Sequence, residues 1–225
     1  MTIREAIDAR HSVRSYTARP IDGAVLTALE AEIEACNAES GLSIRLVRNE
    51  PTAFTTLLAH YGKFENAVNY IVLAGPDADN LYERCGYWGE RLVLFAETIG
   101  LNTCWVAGSY KKSAVRALLA DGETLAAIIS IGYGAKPGRA HRSKSFAQVT
   151  ETDGDVPDWF RAGTEAALLA PTAINQQQFR FILDGKGNVQ AKALFGPYAK
   201  IDLGIVKYHF EIASGRKLVI GHAAE

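Results

Sequence analysis

The chain has 225 residues, of which 48% are hydrophobic and 22% are charged, so it can bury a sizeable core and is typical of an ordinary globular protein. The 24 basic and 25 acidic residues leave a formal net charge of −1, without the basic excess of a nucleic-acid binder. Three cysteines without C-x-x-C spacing favour neither a disulfide framework nor a thiolate metal site. No apolar run approaches the roughly 20 residues that cross a bilayer. We therefore expect a cytoplasmic protein that binds no nucleic acid, membrane or metal.

Helices and strands alternate in the predicted structure of the first part of the chain. Thr2 and Glu5 form a capping-box pattern, which begins a short helix that should end near Arg10. Hydrophobic periodicity then predicts helices at 22–36, 81–100 and 114–120, and strands at 43–47, 70–74, 104–107 and 126–132. These elements predict an α+β fold with a mixed β-sheet flanked by helices.

The second part of the chain begins after a polar, acidic stretch at 148–156, which is the best linker candidate. Pro157 begins a helix that Pro171 ends, because proline lacks the amide that a continuing helix needs. A strand follows at 179–183. The order of helix then strand at 22–47 recurs at 157–183, so duplication and chance both remain open. We divide the chain into an N-terminal part, 1–150, and a C-terminal part, 151–225.

Two polar segments could bind a ligand. Arg10, Ser12 and Arg14 lie just past a helix end, where guanidinium groups and a hydroxyl can hold a small anion. The alternative is a solvated basic loop that caps the helix. The segment 170–179 is rich in amides that can meet the edge of a flat heteroaromatic ring, although a structural turn is equally open. Arg142-Ser143-Lys144 adds two cations in a polar loop.

Other chemistries find less support in the sequence. The five histidines have no metal-ligand spacing, and no G-x-S-x-G elbow or G-x-x-x-x-G-K-[ST] phosphate loop is present. The glycines of 132–138 partly match a dinucleotide fingerprint, but Pro137 follows where a helix should open. We therefore interpret 132–138 as a turn.

Taken in order, these pieces resemble the FMN-dependent nitroreductase family. The family's R-x-S-x-[RK] motif after a first helix is matched by 10–14, and its lysine ahead of a strand is similar to Lys63. Its G-L-G-T-C-W and G-Y-P elements resemble 100–105 and 132–134, and its basic-x-basic element resembles 142–144.

One family motif is displaced in this chain. A-P-S-x-x-N-x-Q-P-W normally follows the second helix, but its match lies at 170–177, with Thr172 for Ser and without the final Pro-Trp. In ordinary members two subunits build each flavin site. The displacement therefore implies two degenerate halves that imitate the dimer within one chain, as a pseudo-dimeric monomer or a homodimer.

The resemblance implies an NAD(P)H-dependent flavoprotein oxidoreductase that passes hydride to FMN and then electrons to a small acceptor such as a nitroaromatic or quinone. An FMN-binding protein without turnover, for storage or sensing, is the alternative, and no catalytic side chain is assigned. The implied phosphate ligands are Arg10, Ser12, Arg142 and Lys144, with His11 in the same motif, while Arg14 and Lys63 lie near the N1 and O2 edge. The implied ring and ribityl contacts are Pro171, Thr172, Asn175 and Gln177, with the backbone of Trp105, Val106, Ala107 and Gly108 on the other side of the ring.

Overall fold

The computed structural model describes residues 1–55, 64–139 and 142–220. Its α-helices are α1 (Ile3–Ala9), α2 (Gly23–Ser40), α3 (Leu81–Thr98), α4 (Lys112–Arg116), α5 (Phe146–Val149), α6 (Asp158–Leu168) and α7 (Ala199–Ser214). Its strands are β1 (Arg45–Val47), β2 (Tyr70–Pro76), β3 (Asn102–Val106), β4 (Glu123–Gly132), β5 (Thr150–Thr152), β6 (Phe179–Leu183) and β7 (Val189–Ala193). Short 3-10 turns lie at Thr52–Phe54 and Ala173–Asn175.

The first sheet has the strand order β1-β2-β4-β3, and every neighbouring pair is antiparallel. Alternate residues of β2 face opposite sides. Ile71 and Leu73 join a core that includes residues of α2 and α3, whereas Tyr70 and Val72 join a smaller cluster with Val115 of α4. Both faces of β2 are therefore covered, which explains its unbroken run of apolar residues.

The second sheet has the order β5-β6-β7, in which β5 is parallel to β6 and β7 is antiparallel to it. The linker prediction for 148–156 is wrong, because Thr150–Thr152 forms a ladder with Phe181–Leu183. The division of the chain at 150/151 falls inside this strand and stays a prediction. The side chains of Phe160, Phe181 and Phe210 join the same core as the first sheet.

Helices α3 and α7 cross in backbone contact at two glycines. A Cβ atom added to Gly86 would lie 2.0 Å from the carbonyl oxygen of Ile201, and one added to Gly204 would lie 2.0 Å from that of Glu83. Since no real side chain tolerates such distances, glycine is required at both positions for this helix separation. The crossing joins the N-terminal part of the chain to the C-terminal part.

The N-terminal and C-terminal parts of the chain share one order of helices and strands. Helix, two antiparallel strands and helix follow one another as α2-β1-β2-α3 and again as α6-β6-β7-α7. The sequence predicted the strand Phe179–Leu183 and the helix after Pro157, but it did not predict β5 or β7. Duplication of an ancestral half stays a prediction.

Candidate functional site

A cavity of about 680 Å³ lies where three separate segments of the chain meet. Its volume is within the range of ligand pockets, about 300–1,000 Å³. Most of the lining residues come from α1 and the extended segment after it, from the loop after β4, and from the segment between α6 and β6, and Glu65 comes from the chain ahead of β2. They include Ile7, Asp8, Arg10, His11, Ser12, Val13, Arg14, Ser15, Glu65, Lys136, Pro137, Gly138, Arg139, Leu169, Pro171, Thr172, Ile174 and Asn175. The structure thus brings Ser12 and Asn175, predicted for one site, into one cavity.

The first wall is the extended segment that follows α1. The predicted capping box is present, since the Thr2 hydroxyl accepts from the Glu5 amide, and the helix ends with Arg10 as its C-cap. The segment then runs alongside β3, where the Val13 amide donates to the Thr103 carbonyl at 2.9 Å. This pairing fixes the backbone that carries Ser12 and Arg14 along the cavity.

Arg10 is the most deeply placed cation of the cavity, with only 6% of its surface exposed. Its Nη2 donates to the Leu169 carbonyl at 3.2 Å, and its Nε lies 3.9 Å from the Glu90 carboxylate. The Nε is buried and has no hydrogen-bond partner among the described residues. Arg10 therefore joins the first wall to the end of α6, and part of its donor capacity is unused.

The second wall is the strained turn that precedes β6. Ile174, Asn175 and Gln177 all have φ near +50°, and Ile174 is β-branched and 89% exposed. Such backbone conformations cost energy and are retained where the surroundings impose them. Here Asp202 of α7 imposes the turn, because its carboxylate accepts from the Ala173 amide at 3.0 Å and from Gln176 Nε2 at 2.8 Å. Sequence reasoning missed Asp202, which is distant in the chain.

Four residues predicted to contact the cofactor make hydrogen bonds that hold the second wall in place. Gln177 is buried, and its Nε2 donates to the Arg142 carbonyl while its own carbonyl accepts from Lys144 Nζ. The Asn175 amide also donates to the Arg142 carbonyl. Arg142, Lys144 and Gln177 are not among the lining residues of the cavity, and their assignment to the phosphate and ring stays a prediction.

The third wall is the loop after β4, which sequence analysis interpreted as a turn. A Cβ atom on Gly138 would lie 2.4 Å from the Cβ of His11, so glycine lets this loop press against the first wall. The loop adds two exposed cations to the cavity, Lys136 and Arg139, and Lys136 pairs with Glu65 at 2.7 Å. The Lys-Pro-Gly-Arg sequence at 136–139 is the signal from which these two cations could have been predicted.

The remaining predicted contacts lie elsewhere or outside the described residues. Trp105, Val106, Ala107 and Gly108 are not among the lining residues of the cavity. The Trp105 side chain donates its Nε1 to Glu90 at 2.8 Å. The Ala107 carbonyl accepts from the Tyr198 hydroxyl at 3.2 Å. Contact between the backbone of these four residues and the cofactor stays a prediction. Lys63 lies outside the described residues.

The charge of the lining suits an anion. Four cationic side chains line the cavity against two carboxylates: Arg10, Arg14, Lys136 and Arg139 against Asp8 and Glu65. Guanidinium groups hold phosphate and carboxylate oxygens through paired donors.

Within the described ranges no cluster of three His, Cys, Asp or Glu side chains could hold a metal ion. In the same part of the chain, no helix is long and apolar enough to span a membrane.

Asp202 makes the stability of the second wall depend on pH. Burial raises the pKa of its carboxyl from 3.8 to about 6, although the hydrogen bonds from Gln176 and Ala173 act to lower it. The folded protein then holds this proton more tightly than the unfolded chain. The stabilisation from the bound proton is complete below pH 3.8 and is lost as the pH rises through 6.

We expect Asp202→Asn to flatten the stability profile between pH 4 and pH 7. The wild-type contribution amounts to at most about 3 kcal/mol over this window, since each pKa unit corresponds to about 1.4 kcal/mol. Urea unfolding at pH 4, 5, 6 and 7 measures the difference between the two proteins. Profiles that stay parallel would show that Asp202 titrates normally.

The sequence matches one family model along almost its whole length. The model, described as "Putative TM nitroreductase", matches residues 2–214. No curated protein matches the chain at a significant level.

Solved structures resemble the fold of this chain. A "putative nitroreductase" from Thermotoga maritima is 21% identical, covers 100% of this chain and 91% of its own length, and gives a TM-score of 0.66. A "putative nitroreductase in complex with fmn" from Desulfovibrio desulfuricans is 21% identical over 66% of this chain and 94% of its own length, with a TM-score of 0.52.

A "Putative NADH dehydrogenase/NAD(P)H nitroreductase" from Bacteroides thetaiotaomicron is 18% identical over 65% of this chain and 95% of its own length, with a TM-score of 0.53. At these identities the structures show the fold alone, which is the predicted α+β arrangement. Because the family model matches residues 2–214, the chain belongs to this nitroreductase family of oxidoreductases.

Proposed function

We propose that this protein is an FMN-dependent oxidoreductase that uses NADH or NADPH as electron donor. The observation that carries the proposal is the cavity itself, in which the basic segment at 10–15 faces the strained segment at 171–175. A phosphorylated flat ring system needs cations at one end and amide or backbone groups at the other. The FMN complex of the Desulfovibrio relative supports the same choice of cofactor.

The donor set of the cavity fits the phosphate of FMN. Arg10 offers its guanidinium, of which only Nη2 is hydrogen-bonded among the described residues, Ser12 offers a hydroxyl, and Arg139 is an exposed cation on the opposing loop. We therefore assign the phosphate to Arg10, Ser12 and Arg139, with His11 beside them. Arg139 replaces Arg142 and Lys144, whose contacts hold the second wall.

The ring end of the cavity is assigned to the second wall. Pro171, Thr172 and Asn175 present a rigid edge there, since Asp202 and Gln177 hold the turn from behind. Arg14 lines the cavity from the first wall and would supply a cation for the N1 and O2 edge of the ring. A fixed cation near this edge stabilises negative charge and favours reduction.

When bound, FMN supplies the redox chemistry, accepting hydride from NADH or NADPH and passing electrons to an acceptor such as a nitroaromatic or a quinone. The chain's own residues then bind, orient and shield the cofactor, and none of them needs to act as an acid or base in the first half-reaction. Acceptor choice would depend on the shape of the cavity beside Ile174.

We also propose that one chain forms the complete site. The second wall belongs to α6, the turn before β6 and α7, which follow the first α-β-β-α unit in the chain. A second half that carries this wall would replace the partner subunit of an ordinary dimer. Binding stoichiometry measured together with molecular mass would then give one FMN per monomer.

The experiment that tests the function is anaerobic reduction of purified protein loaded with FMN. Yellow protein whose flavin absorption is lost within seconds of adding NADH or NADPH supports the enzyme. Yellow protein that is not reduced supports flavin storage or sensing instead. Protein that stays colourless after incubation with FMN contradicts both and indicates a different anionic ligand.

A further inference from the structure

A buried polar cluster lies directly behind Arg10, and the proposed function does not use it. Glu90 of α3 and His209 of α7 are both fully buried, at 0% exposure. Glu90 accepts from Trp105 Nε1 at 2.8 Å through one oxygen and lies 2.7 Å from His209 Nε2 through the other. Polar side chains at such depth are costly unless they are hydrogen-bonded, and here Glu90 is bonded to both Trp105 and His209.

The hydrogen bonds define the protons of this cluster. His209 Nδ1 lies 3.1 Å from the Ala166 carbonyl, which can only accept, so Nδ1 carries a proton. One Glu90 oxygen accepts from Trp105 Nε1, and the Arg10 Nε lies 3.9 Å from the other. We assign to Glu90 a carboxylate that accepts from His209 Nε2, rather than a protonated carboxyl that donates to it, because these neighbours are donors.

We propose that Glu90, held by His209 and Trp105, is a positioning residue for Arg10 in anion binding. This inference rests on the proposed function. The Arg10 Nη2 is fixed by Leu169, and its buried Nε has no partner but is only a short movement from Glu90. Once Glu90 takes the Nε, the guanidinium is held on two sides. Its Nη1, which has no hydrogen bond among the described residues, stays available to the phosphate.

The opposite effect would be expected if Glu90 acted only through its charge. A negative charge behind Arg10 reduces the attraction of the cavity for anions, so its removal should tighten binding. Positioning predicts weaker binding instead, because a guanidinium held on one side loses its alignment. The direction of the change therefore separates the two roles.

The test compares FMN dissociation constants of Glu90→Gln and of a matched control. We expect Glu90→Gln to bind FMN roughly tenfold more weakly, the change produced by about 1.4 kcal/mol. The control is Glu83→Gln, since Glu83 pairs with Lys207 between the same two helices and does not line the cavity. It should leave the FMN affinity unchanged. In an Arg10→Ala background, Glu90→Gln should have no further effect, because it acts through Arg10.

Nitrogen NMR of His209 gives a second, flavin-free readout. Wild type should show protons on both ring nitrogens, and Glu90→Gln should lose the one on Nε2. Should Glu90→Gln fail to fold, His209→Gln is expected to weaken FMN binding in the same direction. Equal or tighter binding by the variant, or a wild-type Nε2 without a proton, overturns the positioning role while the proposed function stands. A wild type that binds no FMN overturns the proposed function, and this inference with it.

Discussion

Gly204→Ala should destabilise the protein by about 3 kcal/mol or more, at or above the upper end of the usual cost of overpacking. The added methyl group would lie 2.0 Å from the Glu83 carbonyl oxygen and 2.5 Å from the Tyr87 amide nitrogen. Both are backbone atoms of α3, so no side-chain rotation relieves the clash. The two helices would have to separate, and contacts of Phe210 and Ile201 with the core would be loosened.

The sign of this change is informative, because helix propensity alone predicts the reverse. In an exposed helix interior, alanine is more stable than glycine by about 1 kcal/mol. Lys200→Ala is the control, since Lys200 is exposed in the same helix and its replacement should change stability by less than about 0.5 kcal/mol. Urea denaturation measures both variants. A Gly204→Ala protein as stable as wild type would mean that α3 and α7 are further apart than described.

Arg10→Ala should weaken FMN binding by roughly 1.5 to 3 kcal/mol, the range for a hydrogen bond to a charged group. Lysine should restore little of this loss, because a single ammonium cannot reach the Leu169 carbonyl, Glu90 and a phosphate at once. Fluorescence quenching during FMN titration gives the affinities.

Arg142→Ala is the matched control for Arg10→Ala. The sequence motif assigns Arg142 to the phosphate, but its backbone carbonyl makes the described contacts and its side chain is exposed outside the cavity. The substitution keeps the carbonyl, so we expect the FMN affinity to stay within twofold of wild type, about 0.4 kcal/mol. A loss as large as that of Arg10→Ala would restore the assignment made from the motif.

Sequence patterns predicted the parts of the fold that depend on local chemistry. The capping box at Thr2 and the prolines around α6 each act through neighbouring residues, and these helices are present. β5 was missed because it is a polar strand of only three residues. Its pairing partner, Phe181–Leu183, follows much later in the chain. Periodicity cannot reveal a strand that only a distant ladder stabilises.

The same distinction applies to the candidate site. The sequence predicted that Ser12 and Asn175 would meet, because each lies in a segment with its own chemical character. It did not predict Asp202 or Glu90, since an acidic residue in a helix has no pattern that shows it is buried. Arg142 and Lys144 are not among the lining residues of the cavity, and a basic pair in sequence does not reveal which way its side chains point.

The bond between Arg10 and Leu169 spans 159 positions of the chain and has a consequence for biosynthesis. A ribosome releases Arg10 long before the carbonyl that holds it, and His209 emerges later still. The Arg10 guanidinium therefore stays hydrated by water until Leu169 has been synthesised. Contacts of such long separation slow folding, so cofactor capture would be a late, post-translational event.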